Sequence, residues 1–246
     1  MAERVADGSV LRLIRLFVEA LIQDGYKLVR PKAGTPQGGA VSPLLANIYL
    51  GQLDRALEAE DVAFVRYADD VRLLSRTPAG ARKALERVAG VLEELGLQLS
   101  PKKTRLASIH QGVDFLGYRL IAVKGHLNVY ISPKVLERFW EKVRKLTRRT
   151  AGVSFPVMVD RLNEYLRGWG EYFKRAQSSG VLDRQDQWVA RRVRAYRAKR
   201  WRNTYWRRYP DQYLYGQLGL VRLYALRRDF YREFTARHRR QPPCRA

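Results

Sequence analysis

The chain has 246 residues, enough for one large domain or two small ones with buried cores. It carries 47 Lys and Arg against 24 Asp and Glu, a net charge of +23 that repels itself unless a polyanion neutralises it; nucleic acid is the leading partner and an anionic membrane surface the second. With one cysteine (Cys244), three scattered histidines (His110, His126, His238) and no apolar run near ~20 residues, composition excludes an intrachain disulfide, a paired Cys/His zinc site and a bilayer-spanning helix.

The N-terminus lacks the apolar core of a signal peptide, so a reducing, cytoplasmic setting is the expectation. The charge is uneven. Residues 1–133 hold 18 basic and 14 acidic residues, whereas residues 134–246 hold 29 and 10 and all five tryptophans. Two domains divided near 133/134 are expected.

Taken in order, "SVLRLIRLFVEALIQD" (9–24) reads as a helix, with Ser9 as a cap and Leu11, Ile14, Phe17 and Leu21 on one face. "YKLVRPK" (26–32) alternates like a strand. "AGTPQGGAVSP" (33–43) is a turn-rich loop that starts a helix at Ser42-Pro43, running to about Glu60. Val62–Tyr67 and Val71–Ser75 then read as a hairpin lacking the usual turn glycine.

Thr77-Pro78 caps a helix whose apolar stripe ends at Gly96. "LQLS" (97–100) reads as a strand followed by Lys102-Lys103-Thr104. "VDFLGYRLIAV" and "LNVYIS" form a second hairpin around Lys124-Gly125. From Pro133 the pattern is helical, over about 133–149, 156–175, 184–208 and 218–237. The fold class is therefore α+β, an antiparallel sheet with helices on one face, followed by an all-α part.

"FVRYADDVRLL" (64–74) sets two carboxylates, Asp69 and Asp70, between two apolar strands. Adjacent anions repel unless a cation sits between them. Their hard oxygens suit Mg²⁺, which takes one or two carboxylates plus water and substrate phosphates. Two such ions clamp the attacking and leaving oxygens of phosphoryl transfer. The pair alone also fits a solvated turn. Tyr67 adds a ring on which a base or sugar could rest. "GTPQGG" (34–39) lacks the Gly-Lys-Ser/Thr of a P-loop but lets backbone approach a ligand. A lysine at 102 or 103 could neutralise a triphosphate, and a plain surface role is the alternative.

The order "TPQGG…SPLLANIYL", "YADD", "GLQLSPKKT", "VDFLGY" resembles the reverse-transcriptase family, more closely the reverse transcriptase/maturase proteins of group II introns. The palm motifs cover about Gly34 to Tyr118. "YLRGWGEYFKRA" (165–176) and its surroundings resemble the family's maturase-specific thumb. The resemblance implies a partial palm at 1–133 and a helical thumb/maturase domain at 134–246. It implies RNA-directed DNA synthesis by two-metal nucleotidyl transfer, and binding of intron RNA to assist splicing.

By resemblance, Asp69 and Asp70 bind Mg²⁺, with Asp69 the firmer ligand, and Tyr67 and Ala68 lie near the primer end. Pro36, Gln37 and Gly38 contact the incoming nucleotide and its template base. Lys103 assists pyrophosphate departure, and Phe115, Leu116 and Gly117 grip the primer. The implied partners are RNA (intron or template), a DNA primer and dNTPs, with no membrane.

The family carries a third metal-binding aspartate on a strand upstream of the "GTPQGG" loop. The sole aspartate in "MAERVADG" is Asp7, which reads as part of the helix-start turn. The expectation is a chain that begins partway through the palm, whose Mg²⁺ site is completed by an aspartate outside it. An upstream fragment would supply that residue with the fingers and first palm strands. A catalytically impaired, RNA-binding maturase-like protein is the alternative.

In "RQDQWVARRVRAYRAKRWRNTYWRR" (184–208), ten of eleven charged residues are basic, and only Asp186 opposes them. Trp188, Tyr196, Trp201, Tyr205 and Trp206 interleave. Aromatics packed in the core and a basic stripe outside satisfy the spacing. Arg191, Arg192, Arg194, Arg197, Lys199, Arg200 and Arg202 are the expected RNA-binding stripe.

Overall fold

A computed structural model describes residues 6–24, 26–29, 39–150, 152–199 and 205–238. The chain divides into two compact units, Met1–Leu106 and Ala107–Ala246. The packing boundary at 106/107 precedes the change in charge at 133/134. The strands that follow Leu106 pack on the helical part, as described below.

In the first unit α1 spans Gly8–Val18, and Asp7 is its cap, accepting the N–H groups of Ser9 and Val10. Asp7 is thus the helix-start residue expected, and Ser9 is not the cap. The helix stops short of the expected residue 24. Ile22–Asp24 (β1) pair instead with Lys27–Val29 (β2) in a small antiparallel ladder. Helix α2 spans Ser42–Ala59, one residue offset from the Ser42 cap expected, with Pro43 in its first turn.

β3 (Phe64–Tyr67) and β4 (Asp70–Leu73) form the expected hairpin, with Tyr67 opposite Asp70. α3 spans Pro78–Glu94. Thr77 accepts the Gly80 N–H at its start. At its end Gly96, at φ +67, lets the N–H groups of Gly96 and Leu97 close on the carbonyls of Glu93 and Leu92. The core between α2 and α3 is Leu53, Leu57, Val88, Val91 and Leu92, with Phe64, Val71 and Leu73 packed on it. The hairpin therefore rests on a two-helix layer.

Residues 97–100 form no strand, contrary to expectation. They lead into a turn at 101–103, in which the Lys103 N–H bonds the Ser100 carbonyl. Among the described residues the ladder β3–β4 has two strands, and "LQLS" adds to neither edge.

In the second unit, a 3₁₀ turn (Ile109–Gln111) precedes β5 (Val113–Phe115), β6 (Tyr118–Val123) and β7 (His126–Ile131), an antiparallel sheet in sequence order. "VDFLGYRLIAV" is therefore two strands joined at Leu116-Gly117, both at positive φ. Lys124-Gly125 makes the second turn in the same way, as expected. Among the described residues the antiparallel character expected is spread over three small sheets rather than one.

Helices α4 (Pro133–Leu146), α5 (Phe155–Phe173), α6 (Ser179–Ala198), α7 (Tyr205–Arg208) and α8 (Leu223–His238) follow, with a π-helical turn at Gln212–Gln217. The single helix expected over 184–208 begins earlier and ends at Ala198, because Lys199 turns left-handed at φ +54. The last helix starts at Leu223, five residues later than expected. Phe139, Trp169 and Phe173 stack through the core, with ring centroids 4.5 and 4.8 Å apart. Tyr118 joins them, 5.2 Å from Phe173, and the Gln177 N–H bonds the Val129 carbonyl at 2.7 Å. These contacts bind the three-stranded sheet to the helices.

Candidate active site and nucleic-acid interface

The hairpin tip carries the carboxylates. Ala68 and Asp69 form its two-residue turn, Asp70 opens β4, and all three are exposed. Strand β3 alternates: Phe64 and Arg66 face inward, while Val65 and Tyr67 face out, Tyr67 being 63% exposed beside the pair. Ala68 sits at φ +54, a conformation that side-chain-bearing residues rarely adopt. That explains how the hairpin closes without the usual glycine.

The inward charge at Arg66 is tied down on every side. Its Nε and a terminal nitrogen hold both oxygens of Asp54 on α2, at 2.7 and 2.5 Å. Its other terminal nitrogen donates to Asn47 Oδ1 and to the Ala68 carbonyl, each at 2.9 Å. The hydrogen bond with Asp54 raises the guanidinium's pKa against the opposing effect of burial. Sequence reasoning missed Arg66, Asp54 and Asn47. The signal was a charged residue on the core-facing register of β3, two residues after Phe64.

Hard oxygen donors at Asp69 and Asp70 suit Mg²⁺, which needs few protein ligands when phosphates and water complete its shell. Among the described residues no group of three Asp, Glu, His or Cys side chains gathers to hold a metal. The pair therefore fits the protein's share of one ion, and a two-ion site needs a further carboxylate. Lys103 is exposed in the same unit. Pro36, Gln37 and Gly38 lie outside the described residues.

In the second unit the turn Phe115-Leu116-Gly117 is half-buried and anchored. The Tyr172 hydroxyl donates to the Leu116 carbonyl at 2.9 Å, and the Ser132 N–H to the Gly117 carbonyl at 2.9 Å. The Tyr118 hydroxyl bonds the Tyr172 carbonyl, and burial pushes the Tyr118 pKa up.

The basic stripe separates into roles. Arg191, Arg197 and Lys199 are exposed on α6. Arg194 is committed internally: its Nε donates to the Tyr209 carbonyl at 2.7 Å and a terminal nitrogen meets Asp211 at 2.5 Å. Arg192 is half-buried, donates to Thr147 Oγ1 at 2.6 Å and lies 5.5 Å over the Trp188 ring. Burial, then the charges of Arg144 and Arg149, lower its pKa. Arg144 lies 5.9 Å over the same ring, and Arg149 donates to the Lys199 carbonyl at 2.9 Å. Two guanidinium groups thus lie over one indole, and Arg149 adds a third charge that acts on Arg192. Sequence reading named Arg192 there and missed Arg144, in the last turn of α4, and Arg149, just past its end.

Trp188 and Tyr196 pack in the core, as expected, and Trp206 is exposed. Arg200, Trp201 and Arg202 lie outside the described residues. Asp186, the one acid of the stretch, does not balance the surface. It is 3% exposed, and its two oxygens accept the N–H groups of Leu223 and Tyr224 at 2.8 and 2.9 Å. It caps the start of α8 from a neighbouring helix, and burial raises its pKa to about 6.

Residues 9–120 match the family "Reverse transcriptase (RNA-dependent DNA polymerase)", and residues 136–214 match "Group II intron, maturase-specific domain". The chain belongs to the group II intron reverse transcriptase/maturase family. It is 30% identical to Protein YkfC of Escherichia coli (strain K12), over 48% of this chain and 40% of that protein. It is 42% identical to the group II intron-encoded protein LtrA of Lactococcus lactis subsp. cremoris, over 21% of this chain and 9% of LtrA. It is also 35% identical to the retrovirus-related Pol polyprotein of the type-1 retrotransposable element R2 from Nasonia vitripennis, over 35% of this chain and 9% of that polyprotein. The chain thus spans well under half the length of these relatives. The two family matches fall on either side of the sheet β5–β7, which the first one enters and the second one follows. Among the described residues no helix is long and apolar enough to cross a membrane.

Proposed function

We propose that this chain is the palm and maturase part of a group II intron reverse transcriptase: an RNA-directed DNA polymerase segment joined to a domain that binds intron RNA and assists its splicing. The domain assignment follows the notable change in charge, 1–133 for the partial palm and 134–246 for the thumb/maturase part. One observation carries the reading. Two adjacent exposed carboxylates stand at the tip of a hairpin seated on a two-helix core, inside a segment of the reverse-transcriptase family.

In this reading Asp69 and Asp70 hold Mg²⁺, with a further carboxylate completing the two-ion set. The bound metal supplies charge neutralisation for the triphosphate and the leaving pyrophosphate. Tyr67 offers its exposed ring to the primer-terminal sugar or base. Lys103 neutralises and protonates the departing pyrophosphate. Pro36, Gln37 and Gly38 contact the incoming nucleotide, and Phe115, Leu116 and Gly117 grip the primer. Arg191, Arg197, Lys199 and the cluster of Arg144, Arg149 and Arg192 meet RNA phosphates, with Arg200 and Arg202 extending the stripe. The natural setting is an intracellular, cytoplasmic ribonucleoprotein with RNA, a DNA primer and dNTPs.

The test is Mg²⁺-dependent primer extension on an RNA template by the purified chain, with RNA retention measured alongside. Slow extension is expected, abolished by Asp69→Ala while RNA binding persists. Extension undiminished in Asp69→Ala overturns the assignment. A second reading, an RNA-binding maturase-like protein with an impaired polymerase site, is favoured by one observation: no third ligand joins the pair among the described residues. Splicing assistance that survives Asp69→Ala/Asp70→Ala, with no extension by the wild-type chain, supports it.

A further inference from the structure

We infer that Arg66 is the positioning residue of the carboxylate turn: its guanidinium, locked on Asp54 and Asn47 of α2, holds the Ala68 carbonyl and so fixes the left-handed turn that presents Asp69 and Asp70. The inference rests on the proposed polymerase role of that pair, but the turn's geometry can be tested without it.

Three observations converge. First, a two-stranded hairpin is marginal by itself, and its tip is the first part to fray. This one has only four paired positions on each strand. Second, Ala68 lies at φ +54 without the freedom of glycine, so the surroundings must impose that conformation. Third, the Arg66 side chain is 11% exposed and spends four hydrogen bonds on three partners, of which only the Ala68 carbonyl belongs to the tip. The bidentate pair with Asp54 sets the plane of the guanidinium, and Asn47 fixes which edge faces the turn. The strand thus reaches back to its own tip through a bracket on α2. Lysine has a point charge on a flexible stem and lacks the fork that makes this bracket. Arg66 touches neither metal nor substrate in this scheme. It acts through the backbone that carries the two aspartates.

The full chain is compared with Arg66→Lys, Arg66→Gln and Asp54→Asn in three measurements: amide hydrogen exchange at Ala68, Asp69 and Asp70, Mn²⁺ affinity by paramagnetic line broadening, and primer extension. Arg66→Lys and Arg66→Gln should each speed exchange at the turn about tenfold and weaken Mn²⁺ binding by a similar factor. Any extension should lose kcat rather than KM. Restoration of Mn²⁺ affinity and of turn protection by Arg66→Lys overturns the bracket, because charge alone would then suffice.

A second variant covers the case in which the core does not tolerate these changes. Ala68→Gly removes the conformational constraint at the turn, so its effect on exchange should be non-additive with Arg66→Lys. Strict additivity overturns the inference. If the exchange and Mn²⁺ arms behave as expected while the wild-type chain extends no primer, the positioning role stands and the polymerase reading falls.

Discussion

Replacing Gly117 by alanine should destabilise the second unit far more than the same replacement at Gly125. Both glycines sit second in two-residue turns at nearly equal φ, +80 and +77. Holding alanine left-handed costs roughly 1–2 kcal/mol at either site. The surroundings differ. A Cβ at Gly125 meets nothing within 4 Å, whereas at Gly117 it lies 3.2 Å from Phe173 and 3.2 Å from Val135. Phe173 is wedged among Trp169, Tyr118 and Tyr172, with ring centroids 4.7–5.2 Å away, so it has little room to retreat. Overpacking of this kind adds about 1–3 kcal/mol. Gly117→Ala should therefore cost about 2–5 kcal/mol and Gly125→Ala about 1–2. At roughly 3 °C per kcal/mol for a unit of this size, the first lowers the thermal midpoint by about 6–15 °C and the second by about 3–6 °C. Calorimetry of both variants, with hydrogen exchange to assign each transition, makes the comparison. Equal losses would refute the packing argument and leave backbone conformation as the whole effect.

Asp186 makes stability depend on pH in an unusual direction. Its folded-state pKa of about 6 lies above the ordinary 3.8, so the stability it contributes is present below the lower value and lost as pH rises through the upper one. Relative to Asp186→Asn, the wild-type chain should gain about 2 kcal/mol between pH 7 and pH 4, and parallel denaturation curves would count against this. Neutralising Arg191, Arg197 or Lys199 with glutamine should each lower the salt slope of RNA binding by roughly 0.7–0.9, as filter binding at several salt concentrations would reveal. Arg194→Gln should leave that slope nearly unchanged and lower the melting temperature, since its bonds go to Tyr209 and Asp211. Leu57→Ala should cost the first unit about 2–5 kcal/mol in chemical denaturation, because Leu57 is fully buried between α2 and α3.

Local signals in the sequence were legible where chemistry is local. Thr77-Pro78 and Gly96 bound α3, and Lys124-Gly125 makes its turn, because caps and left-handed turns are set by the residues that form them. The hairpin that carries Asp69 and Asp70 was legible for the same reason. What escaped depended on distant partners. Residues 22–24 lie past Leu21, where the apolar stripe ends, and join β2, since strand pairing outweighs a weak helical pattern. Residues 97–100 alternate like a strand but add to neither edge of the β3–β4 ladder. Lys199 ends α6 where nothing in its residue type forbids helix, and the Arg149 guanidinium bonds its carbonyl from the turn after α4. Arg66 was read as part of a strand, and only the fold reveals which helix its guanidinium reaches.

The same limit governs charge. Residues 134–246 carry a net +19, and within 184–208 only Asp186 opposes the basic residues. The fold removes it. Asp186 is buried against the start of α8, Asp211 closes on Arg194, and Glu171, Asp183 and Asp229 pair with Lys174, Arg222 and Arg228. Half of the ten acidic residues in this region are thereby spent inside the unit or on single neighbouring cations. Burial, then the charges of Arg144 and Arg149, lower the Arg192 pKa. Such a cluster is held together by packing on Trp188 and by hydrogen bonds to Thr147 and Lys199, against its own repulsion. Repulsion between guanidinium groups falls when a phosphate sits between them, so the cluster's energy drops on binding RNA. Binding of a polyanion at these cations should appear as extra thermal stability of the second unit in the presence of RNA, largest at low salt.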